Sequence, residues 1–409
     1  MFTIDDPKNN LRNIAHAFFL SLAISIAEPS TILPLMVHHF SDSAFLVGLY
    51  AALLRGGAIV VQLYASFHAQ SYKRVLPYLR IVFFFRFLSW FFIGIAILLF
   101  GEEHPTLTVA LIGVGLFFFS FTAGFGAIYF KELQAKLFSK AYRGKVMSNR
   151  GIAGSIAAII SGGVAGYILS KTEAPLNYAY LFIISSLIMG IGFFIFATLT
   201  EPEKQNISKK EKSFKEFIKN ATNILKQDRR LRVQTLAIFL GFGYLIAMPF
   251  VILEANSSFE LTGWMLGGFI TVQMVGSIVG NLLLWRRISN YELMLSLAFI
   301  FMILAYIIAL FTHSLVGFFL IFLLFGFALD GFNIAAMNLV IEIAPEDKRP
   351  IYTALQTNLS SIGLFFPLLG AALLHLFNNN YTIIYLVTIV VLAFGFYISL
   401  QLKKFTSLQ

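Results

Sequence analysis

The sequence predicts an all-α polytopic membrane protein, twelve transmembrane helices arranged as two six-helix halves. Three observations carry that prediction. The 409-residue chain is 58% hydrophobic and only 12% charged, where soluble domains run at about 45–50% and 25%. Its apolar residues gather in runs of about 20 or more, the length that crosses a bilayer. One long polar segment divides those runs six and six. With a mean hydropathy of +0.81, there is too little polar side chain to cover a water-facing surface.

In order, the apolar runs cover residues 12–37, 45–68, 76–100, 106–129, 147–170 and 177–199, then 232–254, 262–285, 291–312, 315–341, 352–376 and 381–402. Span 1 is too long for a signal peptide, and no small-residue cleavage site follows it. Span 2 carries Arg55 near its middle. Span 3 includes LRIVFFFRFLSWFFIGIAILLF, which does not alternate apolar with polar and so excludes a β-barrel strand. Spans 4 and 6 are almost uniformly apolar. Span 5 carries Gly162-x-x-x-Gly166, and span 8 carries Gly263-x-x-x-Gly267 and Gly276-x-x-x-Gly280, spacings that let helices approach closely. Span 10 contains Asp330, span 11 a polar stripe of Thr353, Gln356 and Ser360. Spans 9 and 12 are hydrophobic throughout.

The net charge of +10 indicates orientation. Cytoplasmic loops carry the Lys/Arg excess. With the N-terminus inside, 27 of the 30 basic residues fall at or near the inner face. Lys171 alone lies outside, and Arg55 and Arg86 lie within spans. Both termini are therefore expected in the cytoplasm, and the inner membrane is the expected location. The basic loops would attract anionic lipids of the inner leaflet.

The expected organisation is a first half over residues 1–200, a linker over 201–230, and a second half over 231–409. In the linker, Phe214, Phe217, Ile218, Ala221, Ile224 and Leu225 recur at helical spacing among lysines. That pattern fits an amphipathic helix on the inner leaflet; a basic linker that only anchors topology is the alternative. A shift of 220 residues lays Arg12 on Arg232, Pro29 on Pro249, Gly48 on Gly268 and Gly56 on Gly276. A second register, offset by about 206, lays Arg143 on Arg349. Such matches fit two halves related by a parallel repeat.

Twelve spans, a long central loop and parallel halves resemble the major facilitator superfamily. The stretches AYRGKV at 141–146 and APEDKRPIYTAL at 344–355 look like that family's inner loops before spans 5 and 11. Its motif between spans 2 and 3, G-x-L-x-D-x-x-G-R-K, is reduced here to ASFHAQSYKR, in which only Lys73 and Arg74 survive. The span 4 arginine of proton-coupled drug exporters is absent. The glycine motif of span 5 is partly kept in Gly154, Gly162 and Gly163, without its proline. The resemblance implies a transporter but does not imply a drug exporter.

A charge in mid-span costs about 3 kcal/mol on insertion scales, so such residues face an interior or a cavity and seek partners. Four stand out: Glu28, Arg55, Arg86 and Asp330. Glu28 shares a face with Ser21 and Ser25, about 6 Å outside the midplane of span 1. Arg55 in the adjoining span could reach it. Protonation of Glu28 would then couple to transport, with Arg55 binding an anionic group; a permanent ion pair is the alternative. Asp330 lies about 3 Å inside its midplane, one turn from Asn333, as a substrate or proton site or as an inner-gate latch. Arg86 could pair with either acid or reach towards headgroups. Gln273 heads a polar stripe with Ser277 and Asn281. It and Gln356 are expected either to line a cavity or to join helices. Spans 1 and 10 line the cavity in the resembled family. Lys73, Arg74, Arg143 and Arg349 could cap helix ends or latch the inner loops to Glu132, Glu342, Glu346 or Asp347.

The absence of cysteine excludes disulfides and thiolate chemistry. No HExxH, Walker A or GxSxG occurs, so metallohydrolase, ATPase and serine hydrolase readings have no support. No cofactor and no nucleic-acid partner is expected. The leading expectation is a monomeric, non-enzymatic secondary transporter of a small anionic or zwitterionic solute, working by alternating access and coupled to protons. The alternatives are a lipid or lysolipid flippase, a drug or metabolite exporter, and a non-transporting membrane sensor on the same fold.

Overall fold

The structure, a computed structural model, describes residues 5–69, 72–203, 213–288, 290–344 and 349–406; some side chains inside helices are not described. Seventeen α-helices follow one another: α1 Pro7–Ile26, α2 Ile32–Phe40, α3 Ala44–Gly56, α4 Ile59–Ala69, α5 Leu76–Phe100, α6 Pro105–Leu137, α7 Lys140–Lys171, α8 Leu176–Ala197, α9 Phe214–Gln227, α10 Arg229–Gly241, α11 Met248–Phe259, α12 Gly263–Leu283, α13 Tyr291–Phe311, α14 Leu315–Ile343, α15 Arg349–Ser360, α16 Phe366–Leu376 and α17 Tyr381–Thr406. Polar residues in the short connections supply their starts. Ser139, Asp228, Asn290 and Ser314 accept hydrogen bonds from the first turns of α7, α10, α13 and α14.

Eleven of the expected spans are long and apolar enough to cross a membrane. The exception is span 1, which is split into α1 and α2 by residues 27–31. Neither piece alone is both long and apolar, because α1 carries the buried polar residues Asn9, Asn13, His16 and Ser25. Three other spans break in mid-course. Span 2 breaks at residues 57–58, span 7 passes through a 3-10 turn at Phe242–Ile246, and span 11 through one at Ser361–Phe365. Prolines account for three of the four breaks, since a proline offers no N–H to the preceding turn. Pro29 lies in the first, and Pro249 and Pro367 begin α11 and α16. The Pro29–Pro249 match of the internal repeat thus marks two helix breaks.

The chain groups into two compact units: residues 1–42, 53–212 and 262–271, and residues 43–52, 213–261 and 272–409. Residues 45–52 of span 2 and 262–271 of span 8 therefore belong with the opposite half of the sequence. In the first unit, Trp90 Nε1 of α5 donates to Ser185 Oγ of α8 at 2.8 Å. Ser185 donates in turn to the Ala23 carbonyl of α1 at 2.6 Å. In the second, Trp285 Nε1 donates to the Phe327 carbonyl at 2.8 Å, and the Ser296 and Ser399 hydroxyls meet at 2.9 Å. Large apolar side chains such as Phe194, Phe311 and Val316 lie more than 70% exposed, as a lipid-facing surface requires.

The linker does form a helix, α9, capped by Ser213. Two of its apolar residues, Ile224 and Leu225, pack on protein, against Leu231, Val340, Ala344 and Tyr352. Arg232 donates to the carbonyl of Leu225 and Asp228 accepts the Tyr352 hydroxyl at 2.8 Å, so the end of α9 is tied to α10 and α15. Phe214 at its start is exposed. Phe217, Ile218 and Ala221 have side chains outside the described residues.

Candidate functional site

In the first unit the break of span 1 places Glu28. Its backbone carbonyl accepts from the amides of Thr31, Ile32 and Leu33, starting α2. Its buried carboxylate accepts from Ser30 Oγ at 3.0 Å and from the Ser30 amide at 3.4 Å. Arg55 stands at the end of α3, directly before the break of span 2. The freed amide of Ala58 donates to Ser120 Oγ of α6 at 3.1 Å. A Cβ at Gly57 would lie 3.0 Å from Ser120 Cβ and 3.2 Å from the Phe117 carbonyl oxygen, a tight fit against α6. The Arg55 charge is close enough to act on Glu28, but the two form no ion pair.

In the second unit Asp330 accepts hydrogen bonds from Ser277 Oγ and Asn281 Nδ2, both on α12. Glycines set that approach. A Cβ on Gly326 would come within 2.7 Å of the Gln273 carbonyl carbon, and one on Gly276 within 2.9 Å of the Leu323 carbonyl carbon. Asn333 is exposed and Gln273 is buried. Gln356 is engaged between helices. It accepts from Gln234 Nε2 at 2.9 Å and donates to the Ala336 carbonyl at 2.8 Å.

Arg86 lies on the buried side of α5, with its guanidinium 4.4 Å above the Phe119 ring and 5.7 Å from the Phe193 ring. Neither Glu28 nor Asp330 pairs with it, and its Nε is buried without a hydrogen-bond partner. Of the inner-loop residues, Lys73 is exposed and its carbonyl accepts from Lys136 Nζ at 3.0 Å. Arg74 pairs with Glu203 at 3.3 Å, both well exposed. The side chains of Arg143 and Arg349, and all of Glu346 and Asp347, lie outside the described residues.

Three clusters escaped the sequence. Glu201, buried, accepts from the Val75 and Leu76 amides at 2.8 and 2.7 Å and from Lys136 Nζ at 2.7 Å, capping the start of α5. The Glu254 carboxylate accepts from the Tyr385 hydroxyl. Arg150 donates to the Asn13 carbonyl at 2.5 Å and to its side-chain oxygen at 2.6 Å. Asn13 also exchanges hydrogen bonds with Gln134 at 2.9 and 3.2 Å, and His16 Nδ1 lies 3.4 Å from Arg150. Arg150 lies near the inner boundary, where it reads as a topology charge. Its spacing from Asn13 and His16 in the sequence offers no signal. Among the described residues no three His, Asp or Glu converge as a metal site would need.

The family description Major Facilitator Superfamily matches residues 14–366 and again 233–405. The chain belongs to this superfamily. It is therefore a multi-pass membrane transporter by family, and the helical order above is that of its fold. None of the curated proteins matches the sequence. Among solved structures, the nucleoside transporter NupG is similar with a TM-score of 0.69 at 14% identity, covering 97% of this chain and 99% of that one. The D-xylose-proton symporter gives 0.67 at 15%, covering 96% of each. The human organic anion transporter MFSD10 gives 0.66 at 13%, covering 97% and 100%. At such identities the likeness is one of superfamily fold.

Proposed function

We propose that this superfamily member is a secondary active transporter of a small anionic or zwitterionic solute, working by alternating access and coupled to protons. It acts in the inner membrane with both termini cytoplasmic, as a monomer, with residues 1–200 and 231–409 as its halves and 201–230 as the linker. The observation that carries this reading is that Glu28, Arg55, Arg86 and Asp330 each stand without an oppositely charged partner among the described residues. Structural charges inside a membrane pair with one another, because an uncompensated charge there is costly. Here the two acids accept hydrogen bonds from neutral groups: Ser30 for Glu28, Ser277 and Asn281 for Asp330. A carboxylate so held exchanges a proton without breaking a salt bridge. The two guanidiniums leave positive charge for an anionic group of the solute, with Gln273 and Asn333 as further polar contacts. Arg143 and Arg349, with Lys73 and Arg74, serve as inner-loop latches.

The test is uptake into proteoliposomes of a solute found by thermal-shift screening, with and without a pH gradient. Glu28→Gln and Asp330→Asn should abolish accumulation driven by the gradient. Full uphill uptake by both variants would sink the coupling.

A further inference from the structure

In the first unit a line of basic groups runs from the start of span 5 to the middle of span 3. Arg150 is the second residue of the span Asn149–Lys171. Its guanidinium lies 4.8 Å from the Phe130 ring and 3.4 Å from His16 Nδ1. The His16 ring lies 6.1 Å from Phe130 and 6.0 Å from Phe193. The Phe193 ring is in turn 5.7 Å from the Arg86 guanidinium, which sits over Phe119 at 4.4 Å. Arg86 is two residues from the midpoint of Leu76–Phe100, about 3 Å along the helix axis.

What this line lacks is acceptors. A guanidinium brings five N–H donors, and among the described residues none of those of Arg86 meets a hydrogen-bonding oxygen. Its Nε and the Nε2 of His16 are both buried without partners. His16 Nδ1 faces the donors of Arg150, so it accepts, and the ring's proton sits on Nε2. The unsatisfied atoms are thus both donors, set among positive charges. Ring faces attract a guanidinium but accept no N–H bond of normal strength. An oxyanion supplies both the missing charge and the missing acceptors. The rings around it offer apolar walls.

The geometry points to an anion site here: Arg86 and His16 donate to the carboxylate or phosphate of an organic anion, and its apolar body rests on Phe119 and Phe193. Arg150, already bonded to Asn13, holds His16 in the donating tautomer and adds positive potential at the inner end. The site rests on the transporter reading above and names the class of solute: an amphiphilic anion, either a free organic acid or an anionic lysolipid. A guanidinium that only packs on rings would bind no such ligand.

The experiment measures binding by thermal shift and calorimetry on the full chain in nanodiscs of zwitterionic lipid. The probes are 2-naphthoate, lysophosphatidylglycerol, inorganic phosphate and naphthalene-methanol. Either amphiphilic anion should bind, naphthoate marking a free acid and the lysolipid a headgroup. Phosphate and the neutral alcohol should bind at least tenfold more weakly. Arg86→Gln should weaken the anion about tenfold or more, and Arg86→Lys should restore part of it. The empty Arg86→Met protein should melt no lower than the parent, since an unpaired buried charge has gone. Absence of anion binding to the parent, equal binding of the neutral alcohol, or unchanged affinity in Arg86→Gln would each overturn the site. If Arg86→Gln fails to fold, the Arg86→Lys and Phe119→Leu proteins decide it, because either must weaken the anion. Failure of the two readings can be told apart. Gradient-driven uptake that survives Arg86→Gln removes the site and keeps the coupling. Anion binding lost in Arg86→Gln, beside uptake indifferent to pH, does the reverse.

Discussion

Gln234 donates from its side-chain amide to the side-chain carbonyl of Gln356 at 2.9 Å, joining α10 to α15. Gln356 passes the bond on to the Ala336 carbonyl of α14 at 2.8 Å. In the first unit Asn13 of α1 bonds both Arg150 of α7 and Gln134 of α6. The repeat register that lays Arg143 on Arg349 also lays Arg150 on Gln356, and in the 220-residue register Asn13 falls within a residue of Gln234. Matched helices thus meet at a polar junction in each unit, neutral and centred on Gln356 in the second, charged and centred on Asn13 in the first.

Gln356→Leu alone leaves the buried Gln234 amide without its acceptor, a loss of about 1–3 kcal/mol. The double substitution Gln234→Leu/Gln356→Leu removes both polar groups and should recover most of it. Thermal unfolding of the purified protein reads the difference. A double variant as unstable as the single one would show that the bond itself is not the cause.

Glu201→Ala should be among the most damaging substitutions on the inner face. It leaves Lys136 without its counter-charge and the Val75 and Leu76 amides without their acceptor in a buried place, and removing one partner of such a pair costs about 3–5 kcal/mol. Arg74→Ala removes an exposed ion pair of the same loops and should cost under about 1 kcal/mol. Comparable melting temperatures for the two variants would contradict this ranking.

Gly326→Ala should push α12 from α14. Its Cβ would lie 2.7 Å from the Gln273 carbonyl carbon and 3.0 Å from the Ser277 amide nitrogen, and backbone cannot give way as a side-chain tip can. The expected cost is about 1–3 kcal/mol, with transport lost as Ser277 and Asn281 withdraw from Asp330. Gly163→Ala, where a Cβ meets nothing within 4 Å, is the control and should melt at the parent's temperature or above. Equal effects would refute the close-approach argument.

Asp330→Asn keeps the size of the side chain and removes its charge. Exchange of labelled solute across proteoliposomes should persist, while accumulation against a gradient stops. An uphill flux equal to the parent's would leave Asp330 a helix-joining residue only.

Much of this was legible in the residues. Apolar runs of sufficient length announce spans because burial in lipid acts on each stretch by itself. Pro29 and Pro249, matched across the repeat, mark helix breaks because a missing N–H acts locally. Glu28, Arg55, Arg86 and Asp330 could be singled out because a charge is conspicuous in an apolar run. Their partners could not. Pairing with an acid or reaching towards headgroups were both open to Arg86 from the sequence, and its guanidinium lies by two phenylalanine rings. Asn333, a turn from Asp330, turned out exposed, while Ser277 and Asn281, on another helix, hold it.

Composition and span length therefore sufficed for a polytopic helical membrane protein, since each reflects short-range chain physics. Which donor meets which acceptor was decided only by packing. Glu201 caps a helix 125 residues earlier in the chain, and Arg150 meets Asn13 across 137. The pairing of buried polar groups depends on how helices cross, and helix crossing is set by glycines, rings and breaks acting together rather than by any one segment.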